Sequence, residues 1–126
     1  MICHFILYVS DQARSAKFYE QVLGTRPTLN VPGMTEFKLG EGCLLGLMPE
    51  AGIKRILGEA IQDPEKTNGA ARAEVYFKVP QPQEFMSRAA NAGARILSPL
   101  EERNWGDRAG YVQDFDGHVI AFACPI

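Results

Sequence analysis

The first apolar run of the chain, "ICHFILYV" at residues 2 to 9, is interrupted by one imidazole, His4, which alternates with Ile6 and Tyr8. Residues two apart on a strand share a face, so His4 looks where Ile6 and Tyr8 look. Three kinds of chemistry are open to it: a first metal ligand, the polar wall of a pocket, or a core imidazole hydrogen-bonded to its neighbours. A single histidine needs partners before it has any chemistry, and the only other one, His118, opens the last apolar run, "HVIAFA". Trp105, the one tryptophan, stands in the polar stretch "EERNWGDR" with Asp107 and Arg108. It is either a plate for a flat ligand or a cover over a sheet edge, and the two charges beside it either touch a polar ligand or solvate a loop. Cys3, Cys43 and Cys124 lie in apolar runs with no C-x-x-C spacing, which suits small buried side chains in a reducing compartment, not a disulfide framework or a zinc knuckle. No nucleophile has a base at a recognisable spacing, and no glycine loop is built to cradle phosphate.

The elements that must position these residues can be read from periodicity. After the first strand, "SDQARSAKFYEQVLG" predicts a helix capped by Ser10 or Asp11, buried along Ala13, Ala16, Tyr19 and Val22/Leu23, and ended at Gly24. "RPTLN", "MTEFKL" and "CLLGLM" predict three strands in hairpin succession, which completes βαβββ. Residues 49–71 read as a linker with a short amphipathic helix through Ile53, Ile56, Leu57 and Ala60. The pattern then restarts: a strand at 73–79, a helix in "PQPQEFMSRAANAG", and strands in "ARILSPL", "RAGYVQD" and "HVIAFA". A shift of 70 lays His4 on Glu74, and a shift of 75 lays "CLLGLM" on "HVIAFA". The fold class this implies is α+β, with two βαβββ modules, 1–48 and 72–126, in a single domain over 1–126, each a helix on a curved antiparallel sheet, the open faces forming a shared cleft.

Composition narrows the function classes. A chain of 126 residues that is 46% hydrophobic and 22% charged is an ordinary globular domain with a real core, not a disordered one. A net charge of −2, with no clustering of basic and aromatic residues, argues against nucleic acid as a partner. No run approaches the roughly 18 apolar residues of a membrane span. The chain opens directly with a strand, without a signal-like segment, so a cytoplasmic protein with no membrane partner is expected.

The segments "HFILYVSDQARSAKFYEQVLG" and "GARILSPLEERNWGDRAGYVQDFDGHVIAF", with the doubled βαβββ between them, resemble the vicinal oxygen chelate superfamily of glyoxalase I, extradiol dioxygenases, fosfomycin-resistance enzymes and bleomycin-resistance proteins. The family usually has Pro between Asp114 and Asp116, where this chain has Phe115. The resemblance implies that metal-dependent members place ligands on the first and last strands of each module, at the positions of His4, Gly46, Glu74 and Ala121. Gly46 and Ala121 carry no donor atom, and lasting transition-metal sites need three or four protein ligands. The expectation is therefore no metal and no cofactor, with adventitious binding by His4 and Glu74 as the remaining metal alternative.

The ligand-binding residues expected on this reading are His4, Ile6, Tyr8, Phe37, Gly46, Met48, Glu74, Tyr76, Trp105, Arg108, Tyr111 and Ala121. Alternation also places Lys78 with Glu74 and Tyr76. Small side chains at Gly46 and Ala121 either leave volume for a planar guest or have it filled by neighbours. Two functions follow. One is a metal-free protein that sequesters an aromatic or antibiotic-like small molecule, as bleomycin-resistance proteins do, with a homodimer implied by the resemblance. The other is a glyoxalase- or dioxygenase-like enzyme in which His4 and Glu74 serve as ligands or as an acid/base pair.

Overall fold

A β-rich run makes β1 (Cys3–Val9), and Asp11 starts α1 (Gln12–Leu23) by accepting the Arg14 amide N–H at 3.0 Å; Gly24, with φ of 69°, ends it. Of the two expected caps, Asp11 makes the bond. β2 (Leu29–Val31), β3 (Met34–Gly40) and β4 (Cys43–Pro49) follow, then α2 (Glu50–Leu57), short 3-10 turns at Gly58–Ala60 and Pro64–Thr67, β5 (Glu74–Lys78), α3 (Pro82–Asn91), β6 (Arg95–Glu102), β7 (Asp107–Gln113) and β8 (Val119–Pro125). The computed structural model describes all residues from Met1 to Ile126. They group into two units, Met1–Glu20 with Gly24–Asn68, and Gln21–Leu23 with Gly69–Ile126. Most of the expected linker folds with the first unit, where α2 packs on β4 and β1.

Each unit holds one four-stranded sheet, in the order β1-β4-β3-β2 and β5-β8-β7-β6. The expected antiparallel sheets are mixed: β1 pairs with β4, and β5 with β8, in parallel. The helix after the first strand returns the chain to its starting end, so the last strand of the meander runs the same way as the first.

In the first unit Leu7, Val9, Thr35, Phe37, Leu45 and Leu47 are buried on one sheet face, and α1 buries Ser15, Ala16, Phe18 and Tyr19. The Gln12 side-chain amide anchors this helix by donating to the Val31 carbonyl at 2.8 Å and to Thr35 Oγ1 at 2.9 Å. Ala13, expected in the buried stripe, lies about 160° round the helix from buried Ser15 and is exposed. In the second unit Ile120, Phe122 and Val112 are buried with Met86 and Ala89 of α3, and the Phe122 ring contacts Phe77 and Phe85, with centroids 5.7 and 5.2 Å away. Gly110 lets α3 approach β7: a Cβ there would meet Met86 Cε at 2.8 Å.

The second helix differs from expectation. Gly52 is its buried residue, set against Met48 and Pro49, whereas Ile56 and Leu57 are exposed. The cysteines are less buried than expected, because each lies at or near a strand end: Cys3 is exposed, Cys43 and Cys124 half-buried.

Candidate functional site

Each sheet has a second face away from its main core, and strand pairing fixes what stands on it. In the first unit Ile6, Gly46 and Glu36 form one row across β1, β4 and β3, with His4 and Leu44 in the row to one side and Tyr8 and Met48 in the row to the other. His4 Nδ1 lies 3.5 Å from Glu36 Oε1, an ion pair whenever the imidazole is protonated. The His4 side chain is 40% exposed, so solvent weakens that attraction. Glu36 was not among the expected site residues, because alternation alone does not say which neighbour of Phe37 points inward. Burial of Thr35 and Phe37 decides it. Phe37, expected as a wall of the site, is fully buried on the core face instead.

Gly46 does not open a void. A Cβ built on it would meet Ile6 Cγ1 at 3.1 Å and Met34 Sδ at 3.3 Å, so neighbours already occupy the space a ligating side chain would need. Ala121, its counterpart in the second unit, is fully buried, flanked in its row by Tyr76 and Tyr111. The volume for a planar guest considered at these two positions is absent at Gly46 for this packing reason.

A hydrogen-bonded polar group lies on the second unit's sheet. Alternation on β5 puts Glu74, Tyr76 and Lys78 on one face, and on β7 puts Asp107, Ala109 and Tyr111 on that same face. Asp107 is the centre. Its carboxylate accepts from the Tyr76 hydroxyl at 2.9 Å and from Lys78 Nζ at 2.9 Å, while the Trp105 indole N–H donates to the Tyr76 oxygen at 3.0 Å. Only 4% of Asp107 is exposed, so of the two roles open to it from the sequence, that of a solvated loop charge is excluded. The period-2 placement of Asp107 with Tyr111 was the available signal for it.

The electrostatics follow from those contacts. The Lys78 hydrogen bond holds the Asp107 carboxyl below its ordinary range against the opposing effect of desolvation. The same bond raises the Lys78 ammonium, and burial, with a smaller contribution from Asp107, raises the Tyr76 phenol, so that hydroxyl stays a donor at neutral pH. Arg103 braces the neighbouring edge: its Nη2 donates to Ser98 Oγ at 2.8 Å and to the Ala109 carbonyl at 2.9 Å, and its guanidinium carbon lies 5.3 Å from the Tyr111 ring centre.

Trp105 is 56% exposed although its indole nitrogen is anchored, so a flat aromatic surface is presented to solvent in a fixed place. Glu74, at the start of β5, is exposed. Arg108 is not part of this group: it pairs with Cys124 on the opposite face of the sheet, the side of α3. His118 serves the turn before β8, where the Asp114 carboxylate accepts the N–H groups of Asp116 and His118 at 3.0 and 2.8 Å; Phe115 in place of proline leaves this turn intact.

The donor set does not fit a divalent transition metal. Gly46 and Ala121 offer nothing, and no three His, Cys, Asp or Glu side chains come together around a point that could hold a cation. No helix is long and apolar enough to cross a membrane.

Comparison with known proteins agrees with this architecture. The family model described as Glyoxalase/Bleomycin resistance protein/Dioxygenase superfamily matches residues 1–122. The chain belongs to that superfamily. Among curated relatives of this superfamily member, an uncharacterized protein of Mycobacterium bovis, Mb0911c, is 28% identical over 124 residues, covering 95% of this chain and 80% of the relative. A glyoxalase-related enzyme from Fulvimarina pelagi has the same fold, with a TM-score of 0.82 at 23% identity over 98% of this chain and 87% of the other. A glyoxalase/bleomycin resistance protein/dioxygenase from Nocardioides aligns with a TM-score of 0.78 at 21% identity, covering 100% of this chain and 83% of its own. TioX from Micromonospora gives 0.70 at 22% identity, with 100% and 99% covered.

Proposed function

We propose that this superfamily member is a metal-independent binding protein that sequesters a small aromatic molecule of antibiotic-like character. The observation that carries the reading is the pairing of two features: non-ligating residues at Gly46 and Ala121, and an anchored aromatic surface made by Trp105, Tyr76 and Tyr111 beside the Asp107–Lys78 pair. Stacking on a held indole adds about 0.5–1.5 kcal/mol beyond burial, and the remaining N–H groups of Lys78 offer donors to a ligand carbonyl or carboxylate. A cytoplasmic homodimer is part of the same proposal, and sedimentation of the purified chain tests the dimer.

Trp105, as the sole tryptophan, is its own reporter. Titration with a panel of aromatic antibiotics, catechols and glutathione adducts is expected to change its fluorescence saturably and to raise the melting temperature for at least one compound, which is recovered unaltered. Trp105→Ala is expected to weaken that binding by about two- to thirteenfold, from the stacking energy alone. Turnover of a glutathione adduct or a catechol by the unmutated chain would replace this reading with the enzymatic one, and no thermal shift with any compound would remove it.

A further inference from the structure

Cys3 and Cys43 are the first residues of β1 and β4, and the parallel register of the two strands sets them side by side. Register partners on adjacent strands lie about 5 Å apart, within the roughly 4.4–6.8 Å between Cα atoms that a disulfide needs. Both project from the same face of the sheet. Cys3 is exposed and Cys43 half-buried, both as free thiols, so a solute reaches at least the first of them. The Cys3 amide donates to the Gly42 carbonyl at 2.7 Å, which ties the two strand starts together. Cys124 has a different neighbour, Arg108, in the second sheet.

We propose that Cys3 and Cys43 form a dithiol site that a small-molecule disulfide, of which glutathione disulfide is the representative, oxidises to an intramolecular cystine. The Cys3 thiolate attacks one sulfur of glutathione disulfide, forming a mixed disulfide and releasing one glutathione thiol. The Cys43 thiolate then attacks the Cys3 sulfur and displaces the second glutathione, so that two protein thiols are oxidised while one disulfide is reduced to two thiols. The two protons lost from the cysteines end on the two glutathione thiols. The product pins β1, the strand of His4, Ile6 and Tyr8, to β4 and closes the loop between residues 3 and 43, which restricts the unfolded chain. The site is independent of the ligand reading above.

The test uses the full chain, reduced and then equilibrated with glutathione disulfide. Thiols counted after denaturation are expected to fall from three to one, the intact mass to fall by two hydrogens, digestion to yield a peptide joining Cys3 to Cys43, and the melting temperature to rise by several degrees. Cys124→Ser is expected to retain the bond, and Cys43→Ser to lose it and leave glutathione attached to Cys3. A stable glutathione adduct on Cys3 of the unmutated chain, dimers linked through Cys3, or three unreacted thiols would each overturn the proposal.

Discussion

Asp107 organises its surroundings because a nearly buried carboxylate must be compensated, and here two donors compensate it at 2.9 Å each. Its folded pKa lies below the ordinary 3.8, so the contribution to stability is complete above that value and lost as pH falls through the folded one. Lys78 has the opposite sign: its folded pKa lies above 10.5, and its contribution is complete below 10.5 and lost as pH rises through the folded value. Asp107→Asn is therefore expected to lower the melting temperature by a few degrees at neutral pH, and the gap from the unmutated chain to narrow in acid below pH 3.8, as thermal melts across pH will show. At this scale the pleat period was enough to place side chains on a common face, Ile6 and Tyr8 with His4, and Tyr76 and Lys78 with Glu74. The sequence was not legible where a partner from a distant strand decides the role. Glu36 finds His4 and Asp107 finds Tyr76 only after the strands pair, and Arg108, one residue from Asp107, is sent to the other face by the same pleat.

Elements are set by caps and turns whose costs can be ranked. Asp11→Ala removes the α1 N-cap and is expected to cost about 1 kcal/mol. Gly117→Ala is expected to cost more, about 3 kcal/mol, because Gly117 has φ of 89° and a Cβ there would overlap the backbone of Gly69. Denaturant unfolding of the two variants should therefore place Gly117→Ala well below Asp11→Ala in stability; the reverse order would mean that the turn before β8 contributes little. Both helices after the strands that open the two halves, and all the longer strands, were readable from period and punctuation. The orientation of β1 and β5 was not, since parallel pairing depends on where the helix returns the chain. The amphipathic reading of α2 also failed in part, because the helix turns Gly52 inward and leaves Ile56 and Leu57 exposed.

Over the whole chain the same element order and pairing occur twice, with Gly46 and Ala121 at matching places on β4 and β8. That duplication was visible in the offsets of 70 and 75 despite low residue identity, because apolar pattern and glycines persist where individual side chains do not. Membership of a superfamily with varied chemistry leaves function to be argued from side chains. Here those side chains supply aromatic surface and a compensated ion pair, and too few donors for a transition metal. Dialysis of the purified chain against zinc, nickel, manganese and ferrous iron, followed by elemental analysis, tests this most directly. Each metal is expected to remain far below one ion per chain, whereas retention of one equivalent of any of them would contradict the account.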